Sequence, residues 1–190
     1  MADIPNTAHG DWAKQVRFDM MFAEKILLKQ GGVGRRFVLH SKDAKHAIHA
    51  PWDDADEKQK MLKFVRAYCI AVDAVAVSFI SEAWVRSVVR APRESLAEYE
   101  ARVDAVLPSQ AEDRREVVIC LVMYREAAGE RHVVSAAGEI QRRANGKPEG
   151  LTPYREVETH DDVGGDVIDV FPRLPPTPVQ RALARLALGI

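Results

Sequence analysis

The chain has 190 residues, 47% of them hydrophobic, which is enough for one domain to bury a core without disulfides or metals. Its 27 Lys and Arg residues nearly balance 28 Asp and Glu residues, giving a formal net charge of -1. Such a chain has no global field to attract nucleic acid or anionic lipid, so we expect neither nucleic acid nor a membrane among its partners.

Cysteine usage and the lack of long apolar segments indicate the compartment. Cys69 and Cys120 lie in apolar runs without a Cys or His at metal-binding spacing, which argues against a zinc site or disulfides and favours a reducing cytoplasm. We expect no signal peptide, because the first residues provide neither its basic nor its apolar region. Asp73 and Glu82 interrupt the apolar stretch 67–85, so we do not expect it to span a bilayer. The abundance of Arg and Ala is typical of bacterial proteins.

The first part of the chain predicts a helix followed by a β-hairpin. Between residues 11 and 30, apolar residues recur at spacings of three and four, the period of one helical face, and Gly31 with Gly32 provides a stop. Phe37 and Leu39 then alternate with polar neighbours, and a turn at 41–43 allows a second strand to follow.

The strongest helix prediction begins after Pro51. Asp53 or Asp54 is suited to the N-cap, and more acidic residues follow in the first turn, where the helix dipole favours them. Period-two alternation from 75 to 84 then predicts a strand directly after this helix.

A third helix and the centre of the sheet are predicted next. Ser95 and Glu98 form a capping-box pattern, and Pro108 is expected to end the helix that they begin. Residues 117–123 are apolar on both faces, as in a central strand covered on both sides, and 132–142 is its expected hairpin partner.

The last part of the chain differs in composition. Pro, Gly and acidic residues increase, and 159–166 resembles a flexible connector, so we place the end of the compact domain near Val157. After a semi-rigid segment at 172–178, Thr177 is suited to cap a short final helix. The apolar side of this helix is the candidate partner-binding surface, with Val179, Leu183 and Leu186.

Together these elements predict an α+β fold over residues 1–157, with a mostly antiparallel sheet of about five strands packed with three helices. Residues 158–190 are predicted to form a proline-rich arm that ends in the short amphipathic helix. Helices this short are marginal alone, so the apolar side needs a groove either on its own domain or on another subunit.

One cluster of residue types suits a divalent metal such as zinc. It combines three imidazoles with two carboxylates: His40, His46, His49, Asp53 and Asp54. Its spacing is a difficulty, because His46 and His49 point to opposite faces when both lie on a strand. The alternative is that these are exposed hairpin histidines next to a helix cap.

Glu82 and Glu116 are the candidate catalytic residues. They lie at the end of one predicted strand and the start of another, so antiparallel pairing would bring them to one end of the sheet near Trp84. Paired carboxylates divide acid and base roles when their environments separate their pKa values. The alternative is a pair of solvated charges at strand ends.

No nucleophile elbow or zinc-protease motif occurs in the sequence, and neither cysteine is suited to nucleophilic chemistry. The leading hypothesis is therefore a non-catalytic binding or assembly module that forms a homo-oligomer through the C-terminal arm. The alternative is a metal-dependent hydrolase that uses the His and Asp cluster.

Overall fold

The structure, a computed structural model, describes residues 9–86, 88–125, 131–153, 156–159 and 167–190. Within these ranges the chain forms four α-helices and seven β-strands. The helices are α1 (His9–Gln30), α2 (Ala55–Ala71), α3 (Leu96–Asp104) and α4 (Pro178–Leu188). The strands are β1 (Arg36–His40), β2 (Lys45–His49), β3 (Ala76–Val85), β4 (Arg115–Arg125), β5 (Arg131–Arg142), β6 (Pro148–Leu151) and β7 (Glu156–Thr159).

The strands form one antiparallel sheet in the order β2-β1-β3-β4-β5, and both β6 and β7 pair with β5 at different positions. The predicted α+β class with a mostly antiparallel sheet is therefore confirmed. The prediction of about five strands was too low, because β6 and β7 have only four residues each. A short segment that contains Pro and Gly, as β6 does, lacks the alternation and composition of a typical strand.

Apolar layers cover both faces of the sheet. On one face α1 packs its inner stripe, which consists of Trp12, Val16, Met20, Ala23 and Leu27, against β3, β4 and β5. On the other face α2 packs Leu62, Val65 and Cys69. β4 contributes Cys120 to the α1 side and Met123 to the α2 side, which confirms its predicted central position.

Local capping sets the ends of the helices. The Asp54 side chain accepts the Glu57 amide at 2.8 Å to begin α2, and Ser95 forms the predicted capping box with Glu98 to begin α3. α3 ends at Asp104, ahead of Pro108, so the predicted end was too late; Pro108 instead opens a short 3₁₀ turn. No residue of α3 is buried, so this helix lies on the periphery of the fold.

Residues 168–171, which lie within the segment predicted to form the arm, pack into the core. Ile168 and Val170, in a short 3₁₀ turn, and Phe171 are buried on the α2 side of the sheet. The Arg125 guanidinium lies 4.4 Å from the centre of the Phe171 ring. The predicted connector lies outside the described residues except for Thr159, which ends β7, and the boundary near Val157 stays a prediction.

Phe171→Ala is expected to lower the free energy of unfolding by about 3–5 kcal/mol, because it removes a fully buried ring and leaves a cavity. Urea titration followed by circular dichroism measures this change. The control is Leu174→Ala, an exposed position in the same segment, where the change should stay within about 0.5 kcal/mol. Small and equal effects of the two substitutions would contradict the placement of Phe171 in the core.

Candidate functional site

The structure does not bring the candidate metal ligands together. His40 is buried on the α1 side of the sheet, whereas the His46 ring packs against α2 on the other side. His49 lies beside the loop that follows α1, Asp54 caps α2 and Asp53 is exposed. In the part of the chain that the structure describes, no group of three or more His, Cys, Asp or Glu side chains could hold a metal ion.

The two candidate catalytic carboxylates do lie near one end of the sheet. Glu116 on β4 is directly opposite Trp84 on β3, and Glu82 precedes Trp84 on the same strand and the same face. Each carboxylate already has partners. Glu116 accepts two hydrogen bonds from Arg142, both of 2.8 Å, and Glu82 accepts the backbone amide of Val33.

The contact made by Glu82 explains the glycines after α1. A side chain at Gly32 would come within 3.1 Å of Glu82 Oε1, so glycine is what allows the loop to approach this carboxylate. Gly31 has a left-handed backbone with φ 84° and donates its amide to Leu27, which ends the helix as predicted. Glu82 therefore holds the loop that joins α1 to β1, and a catalytic role for it has no supporting contact.

A cavity of about 700 Å³ lies between the end of β3 and α3. Most of its lining is apolar, from Trp84, Val103 and their neighbours. Its principal cation, Arg86, donates to the carbonyl of Val103 at 2.7 Å, and the Tyr99 hydroxyl donates to the carbonyl of Val88. In a small-molecule site the polar groups converge on the ligand. Here they bind backbone carbonyls and stabilise the position of α3 instead.

A buried polar network that the sequence did not predict lies beneath α1. Ser78 Oγ donates to Asp19 Oδ2 at 2.6 Å, and Gln15 Nε2 donates to Asp19 Oδ1 at 2.7 Å. His40 Nε2 lies 3.1 Å from Ser78 Oγ, and Lys45 Nζ donates to Gln15 Oε1 at 3.0 Å. Since the single hydroxyl proton of Ser78 is directed to Asp19, Nε2 of His40 is the donor to Ser78.

The order of groups in this network differs from that of a hydrolase. In a catalytic triad the histidine lies between the carboxylate and the serine, whereas here Ser78 lies between Asp19 and His40. Ser78 is also completely buried, so a substrate has no access to it in the observed fold. The network therefore joins α1, β1, β2 and β3 and has a structural role.

Burial shifts the pKa of both titratable groups at the centre of the network. It raises the pKa of Asp19, against the hydrogen bonds from Ser78 and Gln15 and the charge of Lys45, which lower it. It lowers the pKa of His40 from 6.5 to about 4, and the positive charge of Lys45 acts in the same direction. His40 is therefore neutral at pH 7.

Acidification is expected to destabilise the fold through His40. Its pKa is about 4 in the folded state and returns to the ordinary 6.5 on unfolding, so the unfolded chain takes up the proton first as the pH falls between these values. Once the pH has fallen below the folded-state pKa of His40, the free energy of unfolding is expected to be lower by on the order of 3 kcal/mol. Asp19 acts in the opposite sense, since its raised pKa favours the folded state at low pH.

Urea titrations at several pH values between about 4 and 6.5 measure how the free energy of unfolding depends on pH. This dependence should be weaker for His40→Gln than for the wild type. His49→Gln, at an exposed position on β2, is the matched control. If His40→Gln keeps the wild-type slope, the proposed burial of a neutral imidazole is wrong.

α4 packs against the C-terminal end of α2 through its polar side. Arg181 Nη1 donates to Asp73 Oδ2 at 2.8 Å, and Arg185 Nε donates to the carbonyl of Ala71, also at 2.8 Å. Both guanidinium groups thus lie at a helix C-terminus, where the helix dipole favours cations and the last carbonyls lack partners within the helix.

The predicted partner-binding residues lie on the opposite, exposed side of α4. The exposed fractions are 67% for Val179, 61% for Leu183 and 80% for Leu186, and Ile190, which follows the left-handed Gly189 at the end of the helix, is 60% exposed. We call these four residues the α4 stripe. Within the helix, Val179, Leu183 and Leu186 follow one another at spacings of four and three residues, which is the spacing of the inner positions of a two-helix coiled coil. The charged residues of α4, Arg181 and Arg185, both contact the α2 end, so the stripe itself is uncharged.

Comparison with known proteins finds no matching family model, no matching curated protein and no matching solved structure. Among the helices of the described ranges, none is both long enough and apolar enough to cross a bilayer. A function for this chain is therefore argued from its own surfaces.

Proposed function

We propose that the protein is a non-catalytic assembly module that forms a homodimer through the α4 stripe. The observation that carries this proposal is the inverted orientation of α4. A surface helix normally buries its apolar side on its own domain, because removing apolar area from water is favourable. α4 instead turns its arginines to the domain and Val179, Leu183 and Leu186 to solvent, whereas Leu188 is partly buried.

A second copy of the chain is the partner that best fits this stripe. A two-fold axis places the same surface of each subunit against the other, so the surface has to be compatible with itself. The α4 stripe meets this condition because it is uncharged and has the spacing that interlocks two helices. Ala182 and Ala187, which are exposed beside it, allow two helices to approach closely.

The same geometry predicts a dimer of moderate strength. A stable interface buries about 800 Å² on each partner, and the four side chains of the α4 stripe provide less than this. Leu174, which is 75% exposed and precedes α4, adds apolar area beside it. The contacts of Arg181 and Arg185 hold α4 in place before association, which reduces the entropy lost on binding. We therefore expect a dimer that dissociates on dilution.

Sedimentation velocity over a range of protein concentrations is the test. The wild type should convert from monomer to dimer as concentration rises, and Leu183→Glu with Leu186→Glu should remain a monomer, since pairing would bury four like charges. The matched control is Leu96→Glu, which puts one acidic residue at an exposed leucine of α3. The control position is remote from α4, because α3 follows the C-terminal end of β3, whereas α4 contacts Asp73, which precedes the N-terminal end of β3.

Two results would contradict the proposal. One is a wild-type protein that stays monomeric at the highest concentration reached, and the other is a double variant that dimerises as the wild type does. Because Leu183 and Leu186 are exposed, their substitution should leave the urea midpoint of the monomer unchanged, which separates lost assembly from lost folding.

A further inference from the structure

The turn that ends α2 has an aspartate at the position where glycine is usual. The Ala74 amide donates to the Cys69 carbonyl at 2.9 Å. The Asp73 amide donates to the Ile70 carbonyl at 3.3 Å, which completes the Schellman pattern of helix termination. Asp73 has a left-handed backbone, with φ 53°. Glycine is favoured at this position because a Cβ crowds the following carbonyl oxygen in the left-handed conformation.

The charge of Asp73 is also unfavourable for its place in the fold. A helix C-terminus carries a negative partial charge, so cations are stabilising there and an anion is not. Asp73 therefore departs from two local preferences at once, one of backbone conformation and one of charge. A residue of this kind is expected where a contact from a distant part of the chain compensates for the local cost and where function depends on that contact.

The compensating contact comes from α4. Arg181 Nη1 donates to Asp73 Oδ2 at 2.8 Å, although the two residues are 108 positions apart in the chain. One turn further along α4, Arg185 Nε donates to the Ala71 carbonyl at the same end of α2. Arg125 of β4 also lies near the Asp73 carboxylate, but its guanidinium donates to the Ala74 carbonyl. The side-chain contact of Asp73 is therefore the one that fixes α4.

We propose that Asp73 is a positioning residue for dimerisation, and that its ion pair with Arg181 controls the presentation of the α4 stripe. This inference rests on the proposed dimer. A helix of 11 residues is marginal alone, so α4 is expected to fray when the ion pair is lost. The entropy of ordering α4 then opposes association. The effect enters twice, because each copy contributes one α4 to the interface.

Ionic strength would regulate the dimer through this ion pair. The side chains of Arg181 and Asp73 are 29% and 38% exposed, so salt screens their attraction. The α4 stripe itself is uncharged, and salt does not screen an apolar contact. We therefore expect the dimer to weaken as the sodium chloride concentration rises, which an apolar interface alone would not do.

Hydrogen exchange of the monomer tests the docking of α4 without the dimer. Asp73→Asn keeps the shape of the side chain and its tolerance for a left-handed backbone, but it removes the charge. At a concentration where the chain is monomeric, this variant and Arg181→Gln should each exchange the amides of α4 several times faster than the wild type. The amides of β4 should be unaffected. Both substitutions together should have the effect of either one, because they remove the same contact.

Sedimentation velocity tests the consequence for assembly. Asp73→Asn and Arg181→Gln should each weaken the dimer about tenfold and reduce its dependence on salt, since both copies lose the ion pair. Asp73→Gly should weaken the dimer similarly without lowering the urea midpoint, because glycine is the favoured residue in this turn. A merely structural role of Asp73 would not separate these two measurements.

Asp113→Asn is the matched control, since it makes the same change of charge at an exposed position. Asp113 precedes β4, whose Arg115 lies opposite Val85, the last residue of β3, whereas Asp73 precedes the first residue of β3. The two aspartates therefore lie at opposite ends of the sheet. This variant should exchange its α4 amides and dimerise as the wild type does.

Two results would overturn the inference alone: wild-type exchange of the α4 amides in Asp73→Asn, and a dimer of wild-type strength and salt dependence in that variant. A wild-type chain that stays monomeric would instead overturn the proposed dimer and its control by Asp73 together. Because the exchange measurement does not require the dimer, the two failures are distinguishable.

Discussion

The carboxylate of Asp19, buried between α1 and the sheet, determines how the rest of the molecule is arranged. Burying a charge costs several kcal/mol unless hydrogen bonds compensate for the lost water. Ser78 and Gln15 supply these hydrogen bonds, and Lys45 contributes a positive charge through Gln15. Asp19 can accept these hydrogen bonds at one rotation of α1 only, because a shift of one residue along the helix turns a side chain by about 100° around the helix axis.

That orientation also determines what α1 presents to solvent. With Asp19 directed at β3, the inner stripe meets the sheet, and four large apolar residues of α1 face solvent: Phe18, Met21, Phe22 and Leu28. Apolar residues on both sides of α1 would leave its rotation poorly specified if hydrophobic burial were the only constraint. The buried polar group supplies specificity in addition to any stability, which is a recognised use of such groups in helical interfaces.

Much of the fold could be predicted because it follows from local patterns. The caps at Asp54 and Ser95 each depend on a few adjacent residues, and β4 is recognisable because it is apolar on both faces. The candidate site was less accessible to prediction. Glu82 and Glu116 were expected at one end of the sheet, but the pairing of Glu116 with Arg142 depends on the register of a third strand.

The apolar side of α4 and the buried polar network show the same limit. Helical periodicity identified the apolar side of α4, but it does not say which side faces the domain. That depends on Asp73 and on the Ala71 carbonyl at the end of α2, which Arg181 and Arg185 contact. The polar network had one clue in the sequence, since Gln15 and Asp19 are four residues apart beside the buried stripe of α1. Their partner Ser78 lies 59 positions further along the chain from Asp19, so the connection is visible only in three dimensions.

The positions of α1 and α4 on opposite sides of the sheet constrain what an assembly of two chains could do. α4 lies beyond α2 with its stripe directed away from α2, whereas α1 covers the other face. Two chains joined at their α4 stripes would therefore leave the sides of both chains that α1 covers outside the interface. Pairing would therefore double the number of α1 sides without occluding either of them, so the dimer would be bivalent for any partner of that side.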